Sequence, residues 1–370
     1  MIPQADPSRR IARHREAVLR AMTAVMDGGD YILGSHVERF EQAFASFTGA
    51  AHCVGVNSGT DAIELALRAV DVGSTAEVII PALTAAGTAA AVVRAGATPR
   101  FVDVDDASRC LDPAAVEAAI GPRTAAIVAV HLHGHPADMP RLLAVARPRG
   151  IIVIEDCAQA HGATIAGRSV GTFGAAGAFS FYPTKNIGGI GDGGAVVTSD
   201  RAVADRVLAL RNYGWRDGER ISRVAGGNSR LDELQAAILL ALLPSLDSSN
   251  TERRQIASRY RGALAELGVG LPVEHPGSVY HQFAITTGNR DTIRRLLLER
   301  HGIGTGVHYD RPLHRQPAFA GFATCPLPAT EQLAAEMISL PIQPEVAADA
   351  VDTIAAAVRS LVGAQRRLAA

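Results

Sequence analysis

Ser180-Phe-Tyr-Pro-Thr-Lys185-Asn-Ile-Gly-Gly-Ile-Gly-Asp-Gly-Gly194 contains the only lysine of this 370-residue chain; the rest of its 36 lysine-plus-arginine residues are all arginine. Arginine serves solubility and ion pairing as well as lysine does, but its guanidinium stays protonated and is a poor nucleophile. A single amine kept inside a glycine-rich loop therefore points to a use for the amine itself. Against that stands the bland reading, an exposed lysine left there by chance. The stretch also matches the pattern G-x-G-x-x-G over residues 189–194. Dinucleotide-binding glycines sit between a strand and a helix. Here the glycines lead into the apolar run Ala195–Thr198, which reads as a strand, so the loop joins two strands and the dinucleotide reading lacks its context.

Outward from this loop the chain alternates. Short apolar runs at Cys53–Val56, Val78–Ile80, Arg100–Val104, Ala126–Val130 and Ile151–Ile154, with about Ala178–Phe181 and Ala195–Thr198, read as seven strands. Helical stretches near Asp61–Val70, Thr84–Arg94, Pro113–Ile120 and Pro140–Ala146 separate the first five. This order predicts an α/β fold, a mostly parallel seven-stranded sheet sandwiched by helices. Before it, an N-terminal helical segment (1–50) reads as one amphipathic helix from Ser8 to about Met26, stopped by Gly28-Gly29. Ser35-His-Val-Glu38 then forms a capping box opening a helix through about Phe47. Helices near Arg201–Asn212 and Leu231–Leu246 follow. Leu243-Pro-Ser-Leu-Asp247 marks the domain change, giving a large domain over 1–246 and a smaller C-terminal α+β domain over 247–370. The latter has helices near Asn250–Leu267, Asp291–His301 and Ala348–Val362 and a strand near Tyr280–Thr286.

Composition sets bounds. Hydrophobic residues at 48% and charged residues at 20% are ordinary for a well-cored globular chain. A formal net charge of -1 gives no reason to expect nucleic acid or an anionic membrane as a partner. The N-terminus lacks the apolar core of a signal peptide, no run reaches the length of a membrane span, and the four cysteines are scattered without a CxxC pair. A cytoplasmic protein is expected.

Two further segments bear on chemistry. Asn57-Ser-Gly-Thr60 lies where a strand ends and a helix begins; free N–H groups, small hydroxyls and a glycine suit a phosphate. An ordinary N-cap would also account for Ser58. Glu155-Asp156 ends an apolar strand, and ligands of such sheets bind beyond the strand C-termini. Alternation turns Asp156 and Glu155 to opposite faces, so Asp156 is placed to hold a heterocyclic nitrogen protonated; a loop cap or an ion pair is the competing role. His131-Leu-His-Gly-His135 invites a metal reading, but no carboxylate or cysteine follows at ligand spacing, and histidines at a strand end commonly line a pocket. No metal is expected. A lone amine, a phosphate-binding helix start and a strand-end aspartate together are what pyridoxal 5'-phosphate requires.

In Asp30-Tyr-Ile-Leu-Gly34, Val56-Asn-Ser-Gly-Thr-Asp-Ala62, Val153-Ile-Glu-Asp-Cys-Ala-Gln159, Phe179-Ser-Phe-Tyr-Pro-Thr-Lys185-Asn186, Gly191-Asp-Gly-Gly-Ala-Val-Val197, Asn228-Ser-Arg-Leu-Asp-Glu-Leu-Gln235 and Ile338-Ser-Leu-Pro341, the chain resembles the nucleotide-sugar aminotransferases of the DegT/StrS type. The resemblance runs from about Tyr31 to about Pro344. It implies the aspartate-aminotransferase-like fold, fold type I of the pyridoxal-phosphate enzymes. It implies Lys185 as the Schiff-base lysine, Asp156 as the pyridinium partner and Gln159 at the cofactor ring or its hydroxyl. Ser180, Gly59 and Thr60 would form the phosphate cup, and Asn228 a phosphate ligand given to the other subunit of a homodimer with shared active sites. His308, Tyr309 and His314 match a segment near the sugar nucleotide. The chain departs from many relatives at Ala85, where they place a ring-stacking aromatic. Tyr31 is a candidate lid and Arg230 a candidate for the donor carboxylate or the diphosphate; a core anchor and a hinge ion pair are their alternatives. The implied activity is ping-pong transamination of a keto sugar nucleotide with glutamate as amino donor. Another pyridoxal-phosphate reaction, or a non-catalytic sensor or regulator with this fold, would be the alternative.

Overall fold

The computed structural model describes residues 1–216 and 219–369, with side chains only as far as 363 at the C-terminal end. The first six strands in chain order are β1 (His52–Val56), β2 (Glu77–Pro81), β3 (Thr98–Val102), β4 (Thr124–Val130), β5 (Ile152–Asp156) and β6 (Thr164–Ile165). They are followed by β7 (Arg168–Ser169), β8 (Ala176–Ser180), β9 (Gly194–Thr198), β10 (Phe283–Thr286) and β11 (Met337–Leu340). Seven of them form one sheet in the order β1-β9-β8-β5-β4-β2-β3. All of its pairings are parallel except the two made by β9, which runs against β1 and β8. The seven expected strands are these seven, each within two residues or so at its ends.

Why the sheet carries helices on both faces follows from side-chain alternation. Val54, Val56, Val78, Ile80, Ala126, Val128, Ala178 and Val196 pack into one buried cluster. Cys53, Phe179, Ala195 and Val197 turn to a second cluster, and Ile79, Ile127 and Ala129 to a third on that same side. Helices α1 (Pro7–Arg13), α2 (Arg15–Gly28), α3 (Ser35–Thr48), α4 (Gly59–Ala69), α5 (Ala86–Arg94), α6 (Pro113–Ala119), α7 (Met139–Ala146), α8 (Arg201–Leu210) and α9 (Glu233–Leu242) belong to this region. The apolar faces of α4 and α8 cover the first cluster, and those of α3 and α9 the second. The helix α10 (Leu246–Leu264) gives Leu246 to the second cluster and Ile256, Tyr260 and Leu264 to a fourth. That fourth cluster is completed by the antiparallel pair β10–β11 and by α11 (Arg290–His301) and α14 (Val351–Ala369). The helices α12 (Pro328–Glu336) and α13 (Pro344–Ala347) lie between α11 and α14 in the chain. Among the described residues no helix is long and apolar enough to cross a membrane.

Three expectations are corrected. The first helix is two, α1 and α2, broken at His14, whose backbone (φ -113°, ψ 18°) leaves the helix. Asp6 caps α1 through the Ser8 N–H, and Arg10 is the one buried residue of that helix. Second, Ser35-His-Val-Glu38 is not a capping box. Gly34 stands at the cap position, and the free N–H groups are taken by the buried carboxylate of Glu233 on α9. It accepts from Gly34 (2.8 Å), His36 (2.9 Å) and Val37 (2.8 Å) and lies 3.0 Å from His36 Nδ1. A charged cap from a distant helix satisfies three donors where a serine satisfies one. Third, α9 stops at Leu242 and not Leu246, because Pro244 lies in the 3-10 turn Leu243–Ser245 that follows. The sequence reading also missed β11 and α12, short elements without strong periodicity.

Candidate active site

Six of the seven strands point their C-terminal ends to one edge of the sheet, and the expected site residues stand there. β5 ends on Asp156. Its Oδ2 accepts a hydrogen bond from the Thr88 hydroxyl (2.9 Å) and its Oδ1 one from the Ala158 N–H (3.1 Å), while Thr88 lies 3.1 Å from the Thr84 hydroxyl. Burial raises the Asp156 pKa, against the pull of these donors and of Lys185. Lys185 lies beyond the end of β8, half-buried, its amine in dense surroundings; burial brings its pKa down to about 8, against the opposing pull of Asp156. The two groups act on each other across one site. Glu155 turns the other way, as alternation requires. Its carboxylate accepts from the N–H groups of Gly171, Phe173 and Gly174 and lies 3.1 Å from His131 Nε2, which fixes the loop before β8.

Beyond β1, Ser58 caps α4 with its side chain, accepting the Asp61 N–H (3.1 Å), so for its hydroxyl the N-cap role holds. The N–H groups of Gly59 and Thr60 make no hydrogen bond among the described residues. Ser180 stands directly against them: a Cβ on Gly59 would lie 2.6 Å from Ser180 Cβ. A Cβ on Gly194, the first residue of β9, would lie 2.4 Å from the Ser58 backbone. The nearby Asp61 carboxylate is paired with Arg94 (2.9 Å) and accepts from the Ser229 hydroxyl (2.7 Å). Two free N–H groups, the hydroxyls of Thr60 and Ser180 and a glycine-lined cradle at a helix N-terminus fit a phosphate group. An amine and a carboxylate beside that cradle fit the rest of pyridoxal phosphate.

Gln159 is held between two partners: its Oε1 accepts the His133 N–H (2.6 Å) and its Nε2 donates to the Tyr309 hydroxyl (3.1 Å). His133 Nε2 donates to the His308 carbonyl (2.9 Å), and His308 Nδ1 lies 2.9 Å from the Ser339 hydroxyl. Burial, with Lys185 adding to it, lowers the His308 pKa to about 4. His308 and Tyr309 are thus brought to the site. His314 is not: its Nε2 binds Glu331 (2.9 Å) and its ring packs near Phe101. Asn228 is exposed, beside Ser229, whose hydroxyl accepts the Asn57 N–H (3.2 Å). Tyr31 is exposed, its hydroxyl donating to the Met26 carbonyl (3.4 Å). Among the described residues Arg230 forms no hinge ion pair; it donates to Asn212 Oδ1 (3.3 Å) and lies over the Tyr213 ring. Ala85 precedes α5, one turn ahead of Thr88.

The metal reading receives one correction of fact. The fold brings Glu155 and Cys157 to His131, which the linear spacing concealed. The donor set still does not suit a metal. Glu155 is bound by three N–H groups, His131 Nδ1 accepts the Ala137 N–H (2.9 Å), and burial beside two carboxylates holds the Cys157 thiol protonated. The sequence reading missed Thr88, which carries no signal of its own. It missed Arg10, a single arginine in an amphipathic pattern. His133 lies inside the histidine run that reads as pocket lining.

The profile of the DegT/DnrJ/EryC1/StrS aminotransferase family matches residues 12–359. The chain belongs to that family. It is 44% identical over 97% of its length to the UDP-N-acetyl-3-dehydro-alpha-D-glucosamine 3-aminotransferase of Acidithiobacillus ferrooxidans, covering 97% of that protein. It is 45% identical over 95% of its length to the dTDP-3-amino-3,4,6-trideoxy-alpha-D-glucose transaminase of Micromonospora megalomicea subsp. nigra, covering 96% of it. The crystal structure of S. venezuelae DesV in complex with a ketimine intermediate superposes with a TM-score of 0.95 at 44% identity, over 98% of both chains. As a member of the DegT/DnrJ/EryC1/StrS family the chain is a transaminase, with the fold its sequence implied.

Proposed function

We propose that this transaminase uses pyridoxal 5'-phosphate to place an amino group, taken from glutamate, on C3 of a keto sugar carried by a nucleoside diphosphate. The observation that carries the reading is the placement of the sole lysine within electrostatic reach of Asp156, beside the Gly59–Thr60–Ser180 cradle. The C3 assignment rests on the names of the two relatives, both of which specify position 3. When bound, the cofactor supplies an electron sink for the carbanion formed at the substrate carbon. Lys185 would hold the cofactor at its aldehyde carbon, and its amine is placed to hold and move the proton at the substrate carbon; a base with a pKa of about 8 is matched to neutral pH. Asp156 presents its carboxylate to the ring nitrogen, and Thr88 and the Ala158 N–H keep that carboxylate oriented. Gln159 meets the ring hydroxyl, while Gly59, Thr60 and Ser180 hold the phosphate. Asn228 serves the neighbouring subunit of a homodimer. His308 and Tyr309 face the sugar, with His314 bracing their segment; Arg230 takes a donor carboxylate or the diphosphate, and Tyr31 closes the entrance. The same reading divides the chain at 246/247 and places it in the cytoplasm.

The test is a pair of half-reactions on the holoenzyme. Glutamate alone should bleach the visible band of the lysine-bound cofactor, and a 3-keto sugar nucleotide should restore it, giving a product with nitrogen on C3 by NMR. No bleaching with any amino acid, or nitrogen at C4, sinks the proposal. Lys185→Ala should lower turnover by roughly 10²- to 10⁴-fold with an unchanged circular dichroism spectrum.

A further inference from the structure

α1 is a seven-residue helix that buries a single side chain, and that side chain is Arg10. Both of its terminal guanidinium nitrogens bind the loop that carries the catalytic amine. Nη1 donates to the carbonyls of Lys185 (2.6 Å) and Asn186 (3.4 Å), and Nη2 to those of Pro183 (2.7 Å) and Gly188 (3.0 Å). No carboxylate of the described residues lies within ion-pair distance of it. Burying an unpaired cation is expensive, and such a group is retained where its directed hydrogen bonds are needed. The loop is built around the contact. A Cβ on Gly188 would come within 2.9 Å of Arg10 Nη2 and of the Pro183 carbonyl, so only glycine lets the turn wrap the guanidinium. The loop's own bonds are few: Lys185 N–H to the Tyr182 carbonyl and Gly189 N–H to that of Phe181.

The other end of the arm is fastened to the C-terminal region. The Asp6 N–H donates to Gln343 Oε1 and Gln343 Nε2 donates to the Asp6 carbonyl, both at 2.8 Å. Ile2 pairs with Ile303, through bonds to Gly302 and Gly304 at 2.8 Å each. We propose that Arg10 is a positioning residue for Lys185: its four-carbonyl grip holds the lysine loop in the reactive geometry and ties that geometry to the seating of the N-terminal arm on the C-terminal region. The proposal rests on Lys185 being the catalytic amine, but its first readout does not need turnover.

Since Lys185 is the only lysine, ¹³C reductive methylation of the cofactor-free full-length chain gives one side-chain dimethylamine signal, and its pH titration reports the Lys185 midpoint directly. Arg10→Ala should move that midpoint upward by about one unit or more, as water reaches the loosened loop. In the holoenzyme the same variant should lower kcat by roughly ten- to a hundredfold with little change in KM for the amino donor. Arg10→Lys should recover most of both. Arg13→Ala, on the same helix but paired with Glu252 at the surface, should alter neither. If Arg10→Ala does not fold, Arg10→Gln takes its place and must show the same upward shift. An unchanged midpoint in the folded variant, or an equal shift in Arg13→Ala, overturns the proposal. Failure of the half-reactions with the midpoint shift intact would fall on the functional reading instead.

Discussion

Lys185 and Asp156 are shifted in opposite senses, both toward neutrality, and burial is the first cause for each. The chemical consequence for the amine is specific. Below pH 8 it is mostly protonated and cannot attack a carbonyl; above, it can. Capture of added pyridoxal phosphate by the cofactor-free chain should therefore speed up through about pH 8, not near the usual lysine value of 10.5. Stopped-flow absorbance across pH 6.5–9.5 measures this, and a rate still climbing steeply beyond pH 9.5 would contradict it. These two residues were legible in the sequence because each is chemically conspicuous: one amine in the whole chain, one acid at a strand end. Thr88 and Arg10 were not. A threonine and an arginine in helical patterns are indistinguishable from ordinary surface residues until the fold brings Thr88 to Asp156 and Arg10 to the lysine loop.

At the scale of elements, the strands were legible because each is a short apolar run, and their alternation between two buried faces appears in the packing as period two. Helix starts were less so. Ser35 and Glu38 have capping-box spacing, yet the cap arrives from Glu233, nearly two hundred residues away in sequence, and no local pattern announces it. The two readings predict different mutant energetics. Ser35→Ala should cost under about 0.5 kcal/mol, since its exposed side chain caps nothing. Glu233→Ala should cost roughly 2–4 kcal/mol, because three N–H groups and a histidine lose a buried charged acceptor. Urea unfolding of both variants checks this; equal losses would restore the local cap.

The whole molecule carries an unusual load of buried neutral imidazoles. Burial lowers the pKa of His135 and His308 to about 4 and of His161 to about 3, and holds His133 and His281 well below the usual value. Each folded pKa lies below the unfolded value near 6.5, so between them the unfolded chain binds more protons and stability rises with pH. Going down from pH 6.5, each such histidine should withdraw about 1 kcal/mol of stability per pH unit, with Asp156 alone pulling the other way. The urea midpoint should thus fall steeply between pH 6.5 and 5; a flat profile there would contradict the burial of these rings. The shared site of the proposed homodimer has its own test: Lys185→Ala and Asn228→Ala chains, mixed and refolded together, should regain activity that neither variant has alone.

β9 is the one strand of the main sheet that runs backwards, and it pairs Gly194 with Val56 on one side and Ser180 on the other. The proposed phosphate cradle is therefore laced into three adjacent strands and cannot be lost by fraying of a loop. In hydrogen exchange, the amides of Val56 and Gly194 should open only with the global unfolding of the chain, whereas those of Ile2–Arg13 should open far sooner by local detachment. The binding site would then outlast the arm that tunes it: a partly opened molecule would keep its grip on the cofactor's phosphate after it had lost its hold on the lysine.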